Sequence, residues 1–221
     1  MIKIKLLGSL LVYVLFTSTQ LIAEQQIYYQ IEMLCFEHTH SQRFNEEVWP
    51  QFVGNFDTAG ALYLDPALIT LAELNNSFHY NTHLPSLDKK EFLLQQHAKV
   101  IKRSNNYRFV MQKAWVQPLV AGKRSNAVYM QGGHSYRSLL SKAYDAVMVW
   151  EIEGLISFKP VHNLYHAELD LVYRLPPETK QAVNEFRITR KARLKVKDIY
   201  YFDHPIIGII LTLAPISIVV S

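Results

Sequence analysis

The chain lacks the features that hold small disulfide-bonded domains together and those that attract nucleic acid. Its 221 residues include one cysteine, Cys35, so no internal disulfide can form and a hydrophobic core must hold the fold. The formal net charge is only +4 at pH 7, which does not argue for a nucleic-acid partner. The sequence contains no internal repeat and no low-complexity segment. What is left is an ordinary globular composition, 49% hydrophobic and 19% charged, that fits one domain.

Long apolar runs are also scarce, and the two that exist are too short to cross a membrane. The first, residues 6–16, follows a basic start and precedes a polar stretch that ends at Ala23. That order is typical of a cleavable signal peptide, so we predict that residues 1–23 are removed and that residues 24–221 form the mature domain. An uncleaved N-terminal anchor is the alternative. The second run, residues 206–220, predicts a buried strand.

Alternation of apolar and polar residues is the main structural signal in the chain. It predicts half-buried strands, because successive side chains of a strand point to opposite faces of the sheet. Cys35 falls at an apolar position of the first strand and is interpreted as a small buried hydrophobe. The predicted strands are residues 28–36, 107–118, 146–158, 163–175, 185–197 and 206–220.

One segment of moderate length, residues 88–103, has helical periodicity. Asp88 can cap its N-terminus, and Glu91 follows at the spacing of a capping box. Leu93 and Val100 belong to an apolar stripe at helical spacing. We therefore predict an α+β fold: a single domain with a mainly antiparallel sheet of about six strands and one principal helix packed on a face.

No motif for a metal site or a catalytic nucleophile is complete. The nine histidines include no spacing that matches a known ligand set, so we predict no metal and no cofactor. Ser135 lies in a sequence close to the Gly-x-Ser-x-Gly nucleophile elbow, but Arg137 stands where the last glycine is needed. A glycine-containing loop is the simpler interpretation of this segment.

Paired acidic residues and an Asp–His neighbour pair also have non-catalytic explanations. Glu151 and Glu153 are two residues apart on a predicted strand, as are Glu168 and Asp170, a spacing that could suit a glycosidase. We interpret all four as solvent-facing acids that pair with Arg and Lys on neighbouring strands. In the Asp-His-Pro sequence at 203–205, adjacent side chains point to opposite faces, and the proline favours an extended residue before it. This segment therefore predicts a corner that leads into the last strand.

Basic residues dominate one face of the predicted strand at 185–197. They would stand about 7 Å apart, since alternate residues of a strand share a face. They could neutralise Glu168 and Asp170 on the neighbouring strand, or keep an edge strand soluble. A groove for an extended anion is the functional alternative, because two acids cannot neutralise five cations. This basic ridge comprises Arg187, Lys191, Arg193, Lys195 and Lys197.

Seven segments of the chain, taken in order, match a known pattern: YQIEMLCF (29–36), EVWP (47–50), YRFVMQKAWVQP (107–118), VYMQGG (128–133), WEIEGLISF (150–158), LYHAELDL (164–171) and YYFDHPIIGIILTLAP (200–215). Together they resemble the CsiV family of periplasmic peptidoglycan-binding proteins of Gram-negative bacteria. Among the departures, Gln112 stands where the family often has His, and Val116 where it often has Arg. The strand scaffold is kept better than the exposed polar positions.

The resemblance implies a non-enzymatic protein of the periplasm that binds peptidoglycan. It further implies support of a class A penicillin-binding protein through that synthase's outer-membrane lipoprotein activator. The arginines of the basic ridge could grip the carboxylates of peptidoglycan stem peptides, and Trp49 could stack on sugars, whereas Trp115 is expected in the core. The alternatives are an envelope adaptor that binds proteins without glycan affinity, and a hydrolase that uses Ser135 or the carboxylate pairs.

Overall fold

The computed structural model describes residues 27–39, 54–77, 82–135, 149–175 and 184–217, which fold mainly as β-structure. Two short helices, α1 (Leu71–Ser77) and α2 (Gln95–Arg103), and a 3₁₀ turn at Lys89–Glu91 accompany the strands. None of the helices described is long and apolar enough to span a membrane. The strands are β1 (Tyr28–His38), β2 (Leu62–Ile69), β3 (His83–Leu87), β4 (Tyr107–Pro118), β5 (Val128–Ser135), β6 (Trp150–Val161), β7 (Leu164–Leu175), β8 (Asn184–Leu194), β9 (Ile199–Phe202) and β10 (Ile207–Ile216).

All ten strands belong to one sheet, in the order β8-β7-β6-β5-β2-β3-β4-β1-β10-β9. Neighbouring strands pair antiparallel, except that β2 runs parallel to both β3 and β5. The sheet curls until it is nearly closed. Its two edge strands, β8 and β9, are joined by a short connection, in which the Lys195 amide donates to Tyr200 Oη at 2.9 Å.

The predicted α+β fold with about six strands and one principal helix is therefore wrong. The six predicted segments do overlap β1, β4, β6, β7, β8 and β10, with ends that differ by up to four residues, but four further strands were missed. Pro66 and Pro85 lie within β2 and β3, and proline is normally a signal against a strand. β5 carries two consecutive glycines and β9 has only four residues, so neither shows a readable alternation.

The concave face of the sheet encloses the main hydrophobic core. Tyr29 on β1 and Tyr165 on β7 meet across it, with their hydroxyl oxygens 2.5 Å apart, although five strands stand between β1 and β7 in the sheet. Cys35 and Trp115 are fully buried in this core, as predicted. The alternation predicted for β7 is also confirmed, because its expected inward side chains all lie here. They are Tyr165, Ala167, Leu169, Leu171 and Tyr173.

The convex face of β1 is buried as well, because α2 packs across it. Leu94, Ala98 and Ile101 form a smaller hydrophobic cluster with Leu34 and Phe36 of β1. Burial on both faces explains why nine consecutive residues of β1 are buried although its sequence alternates. A half-buried strand, as the alternation predicted, would have left one of these faces in water.

The helix differs from the prediction in where it begins and in which stripe it buries. It begins at Gln95 rather than at residue 88, and Asp88 caps the preceding 3₁₀ turn by accepting from the Lys90 amide at 3.0 Å. Leu93 and Val100, expected in the apolar stripe, are 46% and 67% exposed. An extended residue between the two helical segments breaks the helical phase, which turns a different stripe toward the sheet.

Glu32 on β1 supplies the cap that α2 lacks. The N-cap residue, Leu94, has no side chain that accepts a hydrogen bond, and the Glu32 carboxylate instead accepts from the amides of Leu93 and Leu94, the latter at 3.2 Å. Gln112 of β4 donates to the same carboxylate at 2.6 Å, a bond that a histidine at this position could also donate. Burial raises the pKa of Glu32, while these hydrogen bonds act to lower it. The carboxylate thus ties β1, β4 and α2 together.

Replacing Glu32 with Ala removes the cap and leaves buried amide donors without an acceptor. We expect the free energy of unfolding, measured by urea denaturation, to fall by about 1–3 kcal/mol. Glu32→Gln should lose less, because its amide oxygen can still accept from α2. The matched control is Gln96→Ala at an exposed position of the same helix, which should stay within about 0.5 kcal/mol of the wild type. A Glu32→Ala protein as stable as this control would remove the capping role.

Candidate functional site

The ladder of the sheet is interrupted between β5 and β4, and a cleft opens at the interruption. β2 pairs with β5 at only two residue pairs, and β3 pairs with β4 only at Ser86 and Trp115. β4 and β5 themselves share no ladder within the residues described, because β2 and β3 lie between them in the strand order. The resulting β4–β5 cleft has a volume of about 760 Å³ and is flanked by β4, β5, β2 and α2.

Positive charge without matching negative charge marks the lining of the β4–β5 cleft. Four lysines line it together with the amide groups of Gln112 and Gln131, and no Asp or Glu is among the lining residues. Within the part of the chain that the structure describes, no carboxylate forms an ion pair with any of these lysines. An anionic ligand would supply the missing charge. The four are Lys89, Lys99, Lys102 and Lys113.

Lys113 is the least exposed of the four lysines. It lies on β4 opposite Met33 of β1, between Met111 and Trp115, which both enter the main core. Burial lowers the pKa of its ammonium group, because removal from water disfavours the charged form. An ammonium group in this position costs folding free energy until an anion accompanies it.

Aromatic rings form the apolar walls of the cleft. Tyr63 and Tyr129 lie with their ring centroids 5.4 Å apart, and Tyr129 Oη donates to Glu153 at 2.7 Å. On the side of α2, Lys102 Nζ lies 4.1 Å from the ring centroid of Phe109, within range of a cation–π contact. Rings held beside lysines suit a ligand that carries carboxylates on a partly apolar body.

An ion-pair network built on one buried carboxylate lies next to the cleft. The Glu151 carboxylate is fully buried and accepts from the His134 amide at 2.8 Å and from the Arg108 guanidinium. Arg108 Nε also donates to Glu37 at 2.6 Å. Gly133 has a φ of 76°, and a side chain there would collide with Glu151, so glycine is required at this position. The network joins β1, β4, β5 and β6 beside the cleft.

The acidic pairs identified in the sequence are held by basic side chains, as predicted. Glu153 pairs with Arg174 at 2.7 Å, and Glu168 receives two hydrogen bonds from Arg124, at 2.7 and 2.9 Å. The Arg124 bonds lower the pKa of Glu168 to about 2. Glu151 differs from the prediction, because it is buried rather than facing solvent. A carboxylate as firmly ionised as Glu168 is a poor general acid at neutral pH.

The other catalytic candidates occupy structural positions. Ser135 is paired with Trp150 in the ladder of β5 and β6, whereas a nucleophile elbow places its serine on a turn. Asp203 and His204 form the predicted corner between β9 and β10, with Asp203 exposed and His204 buried. His204 Nδ1 accepts from the Ile206 amide at 3.3 Å. Among the residues with described positions, no three potential metal ligands come together.

β8 is an edge strand, and two members of the basic ridge are paired with its neighbour β7. Arg187 donates two hydrogen bonds to Asp170, at 2.8 and 2.6 Å. Lys191 Nζ lies 3.3 Å from Glu168. These two members of the ridge therefore neutralise acidic residues of β7, as one of the structural explanations predicted.

The other three members of the ridge, Arg193, Lys195 and Lys197, are exposed. β8 ends at Leu194, so Lys195 and Lys197 belong to the connection with β9 and not to the strand on which they were predicted. That these residues bind a ligand stays a prediction. Trp49 and the predicted signal peptide at residues 1–23 lie outside the described residues.

Sequence reasoning missed the cleft lysines for two different reasons. Lys99 and Lys102 are ordinary residues near the C-terminus of a helix, and nothing in the sequence indicates which side of α2 meets a cleft. Lys113, in contrast, could have been identified from the sequence. It is a charged residue between Met111 and Trp115, which are apolar residues of the same strand face.

Breaking the buried pair of Arg108 and Glu151 from one side should cost more than removing both partners. Arg108→Met leaves the Glu151 carboxylate buried without its cation, and we expect the free energy of unfolding to fall by about 3 kcal/mol. The double variant Arg108→Met/Glu151→Gln should be more stable than Arg108→Met alone. Chemical denaturation of the wild type, both single variants and the double variant measures this coupling. Losses that simply add would show that the pair is not coupled.

Comparison with known proteins assigns the chain to a family. A protein-family model, described as the peptidoglycan-binding protein CsiV, matches residues 5–216. No curated protein and no solved structure matches the chain. The family match includes all ten strands and confirms the resemblance carried by the seven sequence segments. The chain therefore belongs to the CsiV family of peptidoglycan-binding proteins.

Proposed function

We propose that this protein is a non-enzymatic accessory factor of the periplasm that binds peptidoglycan in the β4–β5 cleft. Family membership supports this polymer as the ligand. The observation that carries the site is Lys113, a half-buried ammonium group with no ion-pair partner among the described residues. Such a charge costs stability, and perturbed charges of this kind cluster where a ligand uses them.

Peptidoglycan offers the anions that the cleft lacks. Its stem peptides carry free carboxylates, which accept charge-assisted hydrogen bonds from ammonium groups. Lys99 and Lys102 lie on α2, so the Glu32 cap fixes their position relative to Lys113 on β4. The aromatic walls can cover the apolar parts of the same ligand. The cleft therefore presents several cationic donors to one short acidic peptide.

The lack of catalysis is part of this proposal, and the partners of the candidate catalytic groups support it. Glu168 and Asp170 are bound to arginines, and Ser135 lies in a strand ladder. Glu151 is buried against Arg108. Each of these carboxylates would have to leave its arginine before it could react with a substrate.

We place this binding in the support of cell-wall synthesis. The family resemblance supports a partnership with a class A penicillin-binding protein, through that enzyme's outer-membrane lipoprotein activator. The basic start and apolar run within residues 1–23 support export by a cleavable signal peptide. The basic ridge is a second proposed surface for the same polymer, with Arg193, Lys195 and Lys197 as its exposed cations. Trp49 stays a separate sequence-based proposal for a contact with sugar.

Replacing Lys113 with Met tests whether its half-buried ammonium group binds the ligand. We expect wall binding to weaken about tenfold, because a charge-assisted hydrogen bond is lost. The free energy of unfolding should stay the same or rise by up to about 1 kcal/mol, because a half-buried charge is removed. Co-sedimentation of the purified protein with insoluble peptidoglycan sacculi measures binding, and urea denaturation measures stability. Wild-type retention should weaken as the salt concentration rises, since the contacts are ionic.

Two further variants complete this test. Lys159→Met is the matched control, because Lys159 is an exposed strand lysine outside the cleft, and it should bind like the wild type. Arg193→Gln with Lys195→Gln examines the ridge in the same assay. Loss of retention in this ridge variant, with Lys113→Met unaffected, would move the site from the cleft to the ridge. A wild-type protein that sacculi do not retain at low salt would contradict wall binding and favour an adaptor that binds only proteins.

A further inference from the structure

Four aromatic rings cluster on the convex surface where β4, β1, β10 and β9 lie side by side. The Phe36 centroid is 5.0 Å from that of Tyr107 and 6.0 Å from that of Tyr201, whose ring is nearly parallel to Phe36 at 9°. The His38 ring packs against Tyr107 at 5.5 Å. Phe36 is buried, but Tyr107 and Tyr201 are 38% and 51% exposed. We call these four residues the aromatic platform.

Tyr201 is held in place although its ring faces solvent. Its hydroxyl donates to Asp203 at 2.8 Å and lies 3.4 Å from His38 Nε2. Gly208 on β10 lies against Phe36, where any side chain would collide with the ring. The corner between β9 and β10 therefore holds the exposed ring of Tyr201 through Asp203.

We propose that the aromatic platform is a stacking site for a pyranose ring of the peptidoglycan glycan strand. An exposed but fixed aromatic ring offers a flat apolar face to the C–H groups of a sugar and loses little conformational entropy on binding. The Asp203 carboxylate, which is 74% exposed, can accept hydrogen bonds from sugar hydroxyls at the edge of the platform. Stacking of this kind needs no charge on the ligand.

The platform and the β4–β5 cleft are continuous through Phe109. The Phe109 ring packs against the cluster that contains Phe36, and it also lines the cleft, where Lys102 lies over it. One polymer can therefore place its glycan on the platform and an acidic stem peptide in the cleft. This inference rests on the proposed function for the identity of the polymer, but the platform binds sugar without the lysines.

A soluble hexamer of β-1,4-linked N-acetylglucosamine is the probe, because it carries a sugar of the wall glycan without peptide or charge. Titration calorimetry with the purified protein should show saturable binding that changes little between low and high salt. Tyr107→Ala and Tyr201→Ala should each weaken the affinity at least about fivefold. Tyr201→Phe keeps the ring and should retain most of the affinity.

Ile199→Ala is the matched control. Ile199 is 50% exposed on the same strand as Tyr201 but has no ring, so this variant should bind the hexamer like the wild type. An equal loss in Ile199→Ala and Tyr201→Ala would overturn the stacking site and indicate a general apolar docking surface. Urea denaturation checks that each variant folds. If Tyr201→Ala does not fold, the binding of Tyr107→Ala decides the test.

The hexamer and the sacculi separate this inference from the cleft. A wild-type protein that sacculi retain but that gives no heat with the hexamer overturns the platform and leaves the cleft standing. Hexamer binding that survives in Lys113→Met supports a sugar site that is independent of the cleft lysines. Hexamer binding that is lost in Lys113→Met places the sugar in the cleft and overturns the platform.

Discussion

Burial of β1 on both faces is the constraint on which the rest of the structure depends. Its inner face contributes Ile31 and Met33 to the main core, and its outer face is covered by α2. A strand covered on both sides leaves no water for Glu32, whose carboxylate must find hydrogen-bond donors inside the protein. It finds them at the start of α2 and on β4, which fixes the helix and its lysines beside the cleft. The candidate binding surface is thus a consequence of how one central strand is covered.

The cleft itself follows from an interruption in the same sheet. β2 and β3 run parallel to each other, but β2 pairs only briefly with β5, and β3 only briefly with β4. The ladder is therefore incomplete where β4 and β5 diverge. A continuous ladder would leave no room for a ligand at this place. Lys113 lies at the interruption, on a strand whose neighbouring inward residues are core, and burial lowers the pKa of its ammonium group. Under the proposed function, stability and binding make opposite demands on this residue.

Local patterns in the sequence predicted the parts of the structure that depend on neighbours along the chain. The period of two in β7 placed its apolar residues correctly, and the pairing of Glu168 with basic residues followed from that alternation. The same reasoning failed where long-range contacts decide. Pro66 is tolerated in β2. The stripe that α2 buries depends on the extended residue that separates this helix from the preceding 3₁₀ turn. No local pattern shows that β4 and β5 diverge, so the cleft could not be predicted, although the charge of Lys113 between Met111 and Trp115 was visible.

Contact between the cleft lysines and the wall polymer is open to direct measurement. Reductive methylation of the protein, free and bound to peptidoglycan sacculi, followed by mass spectrometry, measures how strongly the polymer shields each lysine. We expect Lys99, Lys102 and Lys113 to react more slowly in the bound protein, while the exposed Lys159 reacts at the same rate. Shielding of the ridge lysines at 195 and 197, with the cleft lysines unchanged, would contradict the cleft as the binding site.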